Sequence, residues 1–339
     1  MKKVFALLLT LALALSLAAC GGNPSQSASQ PEGGQQSSEP AGGDADTSGG
    51  GDGALTVAFC QYANLNNWRV TQTNDMEATM KGAGYNYIYT DAGDDTAQQV
   101  SDLEDIIAQK PDYIVLAPRE EKGYENVLAK AAEQGITVIT VDRDCEGQKA
   151  TYIAANFIWE SENCANYMIE QLGTTDPVNI VELTGTPGST CAIERQKGFM
   201  DVVSQYDNYT VIASQVGDFS RTTSQTAMEN LIQSYGDEID VVYAHNDDNA
   251  IGALQAIKAA GLKPGHDILI YSIDGQRDAL QAIVNGEMEL SVLCSPYFGE
   301  TVLDVINTLE SGGTVEEYIQ NPGKLYTAEN AESCLDEAY

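Results

Sequence analysis

The stretch VVYAHNDD, residues 241–248, passes from an apolar run straight into His245, Asn246, Asp247 and Asp248. Four polar side chains in a row could hold a metal, run acid/base chemistry, start a helix or read a ligand. Metal binding has little support, since the only other histidine is His266 and no cysteine pair has the C-x-x-C spacing of a zinc site. A helix start at Asp247 or Asp248 is well supported: NAIGALQAIKAAG follows, rich in helix formers and ending at Gly261. Capping and ligand reading are compatible, with Asn246 facing a cleft while an aspartate caps.

Two further pairs carry the same ambiguity. Asp142 and Arg143 follow an apolar run and read either as a surface ion pair, worth little energetically, or as a carboxylate and guanidinium set to accept from and donate to adjacent hydroxyls. Trp68 beside Arg69 reads either as core or as a flat ring for the C–H face of a sugar, with a cation to hold its hydroxyls. Asp142 and Asp274 could in principle form a glycosidase carboxylate pair, but their arginine and asparagine neighbours suit holding hydroxyls better than raising a carboxyl pKa. No G-x-S-x-G, H-E-x-x-H or Ser/His/Asp order is visible. The loop GTPGS (185–189) lacks the Gly-Lys-Ser/Thr of a phosphate-binding loop.

The elements that must position these residues alternate between β-rich runs and helical patterns. Strands are expected at 55–60, 85–90, 113–118, 137–142, 179–185, 210–215, 241–246 and 267–274. Between them, Val100, Leu103, Ile106 and Ile107 mark one apolar helix face, as do Ala227, Met228, Leu231 and Ile232. Two successive strand–helix series with continuous apolar strands predict an α/β fold of two doubly wound parallel sheets. Ligands of such sheets bind beyond the carboxyl ends of the strands. That rule points to NLNNWR (64–69), DRDC (142–145), TGTPGSTCAIER (184–195), GDFSR (217–221), HNDD (245–248) and DGQRD (274–278).

The chain begins MKKVFALLLTLALALSLAAC, an export signal of two lysines, an apolar run and small residues before Cys20. Residues 21–53 hold no aromatic residue and no aliphatic one larger than alanine, so they read as a tether whose ends average about 30 Å apart. The 339 residues carry a net charge of −33. Without the two lysines of the signal and the five acids of the tether, residues 54–339 keep 15 basic and 45 acidic residues, a net −30. Such a surface repels phosphate backbones and argues against nucleic-acid binding, though a local arginine cluster can still serve a small neutral ligand. Cys60, Cys145, Cys164, Cys191, Cys294 and Cys334 allow 15 full pairings, and export permits disulfides as readily as apolar surroundings permit free thiols.

Taken together, NNWR, VITVDRD, VELTGTPGSTCAIERQKGF, GDFSR, VVYAHNDDNAIGALQAIKAAGLKPGHDIL and SIDGQRDALQAIVNGE resemble, in order and spacing, the ribose/galactose-type periplasmic solute-binding proteins. Within that family the chain is most similar to the galactofuranose-binding proteins of ABC importers, from about Leu55 to Lys324. The resemblance implies the type I periplasmic-binding-protein fold, two lobes joined by a three-crossing hinge, with a sugar held between them. It implies first-lobe ligand contacts from Asn66, Asn67, Trp68, Arg69, Asp142 and Arg143. Second-lobe contacts would come from Arg195, Phe219, Asn246 and Asp274. The N-terminal lobe would comprise 54–155 plus about 294–322, and the C-terminal lobe 156–293 plus about 323–339, with the first crossing around Ala155 and Asn156.

Leu17-Ala18-Ala19-Cys20 resembles a bacterial lipobox, which implies a lipid on Cys20 and anchoring at the outer face of the cell membrane. Ribose binders of the family have two phenylalanines where this chain has Trp68 and Arg69, which argues against ribose. Tyr124 stands where a tryptophan is expected in the most similar members, and is expected to shape the rim. The implied activity is non-enzymatic capture of a monosaccharide and delivery to an ABC permease, as a monomer without cofactor or metal. A sugar-sensing subunit of a membrane receptor or kinase and an extracellular glycosidase are the alternatives. A repressor is excluded by the export signal and the sign of the charge.

Overall fold

Strand and helix alternate along residues 53–339, the part of the chain that the computed structural model describes. The readings for the signal, Cys20 and nearly all of the tether lie outside these residues. The first series runs β1 (Thr56–Gln61), α1 (Asn67–Gly82), β2 (Asn86–Asp91), α2 (Thr96–Ala108), β3 (Tyr113–Ala117), α3 (Glu125–Glu133), β4 (Thr137–Val141) and β5 (Thr151–Ala154). The second runs α4 (Phe157–Leu172), β6 (Val178–Thr184), α5 (Thr190–Val203), β7 (Tyr209–Val216), α6 (Arg221–Tyr235), β8 (Val241–Ala244), α7 (Asp247–Ala259), β9 (Leu269–Asp274), α8 (Arg277–Val284) and β10 (Leu290–Leu293). The chain closes with α9 (Gly299–Glu310), β11 (Tyr318–Gln320), β12 (Leu325–Thr327) and the short α10 (Ala331–Cys334).

Two six-stranded sheets result, ordered β11-β5-β4-β3-β1-β2 and β12-β10-β9-β8-β6-β7. Their first five strands in sequence follow the same order in both sheets, and all of those pairs are parallel. The added edge strands differ: β11 runs parallel to β5, whereas β12 runs antiparallel to β10. The chain passes between the sheets three times, after β5, after β10 and between β11 and β12. This is the doubly wound pair that the alternation predicts.

Helices cover both faces of each sheet, so the central strands are apolar throughout: every residue of β3 and of β8 is buried. On α2, Leu103, Ile106 and Ile107 face the sheet, and Asp95 caps the helix by accepting from Ala97 N at 2.7 Å and Gln98 N at 3.1 Å. Each of the eight expected strands is present, with ends shifted by at most two residues. Four further strands, β5, β10, β11 and β12, were not expected; they have three or four residues each. The six cysteines of the described residues are all free and buried. Burial pushes the thiols of Cys60 and Cys145 up to about 12, far from the reactive thiolate range.

Helices α6 and α7 pack closely because Gly252 lets them. A Cβ there would lie 2.4 Å from the carbonyl oxygen of Arg221 and 2.9 Å from Gln225 N, both backbone atoms. Gly252→Ala is therefore expected to cost about 1–3 kcal/mol of unfolding free energy, the usual penalty for overpacking. Denaturant unfolding measures it, and a midpoint unchanged from the parent would contradict this packing.

Candidate functional site

The carboxyl ends of the two sheets face each other across a cavity with about 310 Å³ of space, open solvent included. Its first-lobe wall is Tyr62, Asn66, Trp68, Arg69, Asp142 and Arg143. Cys191, Arg195, Phe219, Asn246 and Asp274 form the opposite wall, and Cys294 comes from the crossing after β10. Nine of the ten ligand-contact residues expected from sequence thus line one cavity. Asn67 does not; it lines an adjoining outer cavity with Leu65, Arg221, Asp278 and Tyr339, which shares Asn66 and Phe219 with the first.

Helix starts place part of this wall. Asn66 is the N-cap of α1, accepting from Arg69 N at 3.0 Å, which puts Trp68 and Arg69 in the first turn. Trp68 Nε1 donates to Cys294 O at 2.8 Å, so the indole is fixed against a crossing segment. Asn246 caps α7 with nearly the same backbone geometry and accepts from Asn249 N at 2.9 Å. Its amide nitrogen then donates to Asp274 Oδ2 at 3.1 Å. The cap is therefore Asn246 itself, which corrects the expectation that an aspartate fills that role. Asp247 is held instead by the hydroxyls of Ser272 and Ser291 and by Gln276 N at 2.7 Å, while Asp248 pairs with Arg221.

Guanidinium and carboxylate groups alternate around the cavity. Arg69 forms an ion pair with Asp142 and donates from Nη1 to Gln72 Oε1 at 2.9 Å. Arg143 Nη1 donates to Arg119 O at 2.7 Å, and its Nε lies 3.9 Å from Asp142 Oδ2 without a hydrogen-bond partner. Asp142 and Arg143 are thus buried, and the close partner of Asp142 is Arg69 rather than its neighbour in sequence. Arg195 donates from Nε and Nη2 to Glu160 Oε2 at 3.1 and 3.0 Å and from Nη1 to His245 O at 2.6 Å, with Asp274 Oδ1 3.5 Å away. His245 Nδ1 accepts from Gly185 N at 3.3 Å; a backbone N–H can only donate, so the ring proton sits on Nε2 and is given to Glu182 Oε1 at 3.0 Å. Both ring nitrogens are engaged in this way.

Burial dominates the electrostatics. It raises the Glu160 carboxyl to about 7, against the opposing pull of Arg195, and pushes Asp274 well above the ordinary carboxylate range. Three wall residues also carry backbone strain: Asp142, Phe219 and Asp274 have φ of 62°, 51° and 138°, in the left-handed region that non-glycine residues rarely occupy. Phe219 reaches the wall because residue 185 is glycine, where a Cβ would fall 1.9 Å from the ring.

The two lobes touch along the cleft. Asn66 Nδ2 donates to Phe219 O at 3.3 Å, Glu121 N to Gly188 O at 3.2 Å, and Asp144 N to Thr190 Oγ1 at 3.2 Å. Tyr124 takes no part in the rim expected of it. It is fully buried, donates to Gln99 Oε1 at 2.6 Å and accepts from Arg119 N at 3.1 Å. Sequence reasoning missed Tyr62, Glu160, Cys191 and Cys294. Tyr62 was within reach of the strand-end rule, one residue past β1, while Glu160 carries no signal because it sits inside the helix α4.

Residues 57–313 match the periplasmic binding protein domain family. A galactofuranose-binding protein of Escherichia coli is 35% identical over 83% of this chain and 91% of its own length. A ribose import binding protein of Bacillus subtilis is 32% identical over 96% of this chain and 99% of its own. The arabinose ABC transporter binding protein of Shewanella sp. ANA-3, solved with α- and β-L-arabinofuranose bound, superposes with a TM-score of 0.80 at 34% identity, covering 84% of this chain and 95% of that one.

The raised Glu160 carboxyl makes stability depend on pH. Between its ordinary value of 4.5 and about 7 the folded protein holds a proton that the unfolded chain releases, so the contribution is full below that window and falls as pH rises through it. Glu160→Gln is expected to flatten the decline of unfolding free energy across this window. Parallel pH profiles for parent and variant would contradict the assignment.

Proposed function

The chain belongs to the periplasmic binding protein domain family, and from that membership we propose that it captures one monosaccharide between its lobes and delivers it to an ABC importer. The observation that carries this reading is the cavity whose walls, drawn from both lobes, alternate guanidinium, carboxylate and carboxamide groups. A sugar hydroxyl both donates and accepts, and this alternation gives each one a partner of each kind. The ligand contacts in this reading are Asn66, Trp68, Arg69, Asp142, Arg143, Arg195, Phe219, Asn246 and Asp274, while Asn67 acts at the outer mouth.

A furanose is the preferred ligand. Relatives named for galactofuranose and solved with arabinofuranose support it, and the Trp68-Arg69 pair sets the chain apart from the two-phenylalanine pattern of ribose binders. Lobes of 54–155 plus about 294–322 and 156–293 plus about 323–339 would turn on the three crossings. Cys20 would carry the lipid, and the tether would let a monomer present its closed face to a permease at the outer side of the membrane. The protein performs no chemistry on the sugar: Asp142 is committed to Arg69 and Asp274 to Asn246 and Arg195, so both carboxylates serve as acceptors.

Calorimetry of residues 54–339 against galactofuranose, galactopyranose, L-arabinose and D-ribose tests the reading. One-to-one binding of a furanose with little response to galactopyranose is expected, and no heat from any of them would contradict it. For the sugar that binds, Arg195→Ala is expected to weaken affinity by more than about tenfold, because it strips a buried guanidinium from Glu160 and Asp274. An affinity near that of the parent would remove Arg195 from the site.

A further inference from the structure

Tyr62 stands one residue beyond β1, buried on the first-lobe wall between the two arginines of that lobe. Its phenolic oxygen accepts from Arg69 Nε at 3.2 Å and from Arg143 Nη2 at 2.9 Å. Both guanidinium groups also lie over its ring, 4.6 and 4.2 Å from the centroid. A phenol has two acceptor positions and one hydrogen, and a guanidinium has donors only. The two arginines therefore fill both acceptor positions and leave the hydrogen unused. Among the described residues no acceptor pairs with that hydrogen.

A hydroxyl hydrogen rotates about the C–O bond, and with both lone-pair directions taken its remaining direction is set by the two arginines. We propose that Tyr62 is a specificity-determining residue that donates this hydrogen to an acceptor oxygen of the ligand, a proposal that rests on the sugar reading above. Tyr62 then does two things at once. It holds Arg69 and Arg143 apart as their shared acceptor, and it offers a neutral hydroxyl donor between two charged guanidiniums. The unpartnered Nε of Arg143 adds a second donor on the same side. An acceptor-only atom, such as the ring oxygen of a sugar, suits this side of the cavity, whereas a carboxylate-lined wall would repel it.

The test is a cycle between Tyr62→Phe and altered sugars. Phenylalanine keeps the ring beneath both guanidiniums and removes only the hydroxyl. Binding is measured by calorimetry for parent and variant with galactofuranose, L-arabinose and D-ribose. For whichever binds, the carbocyclic analogue with CH₂ in place of the ring oxygen and the monodeoxy analogues follow. Tyr62→Phe is expected to lose about tenfold in affinity for the intact sugar and to show no further loss with the one analogue that lacks the contacted oxygen. An equal loss across every analogue would mean that the phenol only positions the arginines, and would overturn the proposal. So would an affinity unchanged by the substitution. Failure of the parent protein to bind any sugar is a separate result, which overturns the sugar reading and this proposal with it. Thermal unfolding of the ligand-free variant near the parent midpoint confirms that the comparison is between folded proteins.

Discussion

Three arginines sit buried around one cavity, and a guanidinium cannot give up its charge to escape the cost of leaving water. Each must be met by an acceptor, and much of the surrounding architecture supplies one. Arg69 has Asp142, Gln72 and Tyr62; Arg143 has Tyr62 and the carbonyl of Arg119; Arg195 has Glu160, Asp274 and the carbonyl of His245. These partners come from the segments just past β1, β3, β4 and β8 and from α1, α4 and β9. Removing any one of them leaves a buried charge short of an acceptor, a cost far larger than that of a surface ion pair.

That requirement explains features that would otherwise be odd. Asp142 and Asp274 adopt backbone angles that aspartate rarely takes, because both must turn sharply at the end of a strand to meet an arginine. Glu160 lies deep under Arg195 although burial makes its charge expensive. The result is a wall already ordered before any ligand oxygen arrives, so little side-chain entropy remains to be lost on binding. The long side chains that read a ligand are thereby kept from collapsing onto one another.

Much of this was legible in the sequence, because the strand-end rule and the family resemblance fall on the same residues. Asp142, Phe219, Asn246 and Asp274 lie at or just past strand ends that the apolar runs mark, Trp68 and Arg69 open the helix that follows β1, and Arg195 lies in the helix that follows β6. What stayed hidden has physical reasons. Asn and Asp cap helices about equally well, so Asn-Asp-Asp cannot say which residue is the cap. Strands of three or four residues are fixed by pairing across long sequence distances, as when β11 joins β5, and not by local pattern. Tyr62 lies just ahead of the polar stretch NLNNWR that the strand-end rule picks out after β1, and Tyr124 reads as rim although it is sealed beneath Gln99. Glu160 becomes part of the site only because the chain crosses between sheets just before α4.

The central claim is that both lobes hold one ligand in the cavity between them. A crystal structure of the protein with bound sugar tests it most directly. The account predicts a single ring beside Trp68, hydrogen-bonded to Asp142 or the first-lobe arginines on one side and to Arg195, Asn246 or Asp274 on the other. A sugar resting in the outer cavity beside Asn67 and Arg221, or touching one lobe alone, would contradict it.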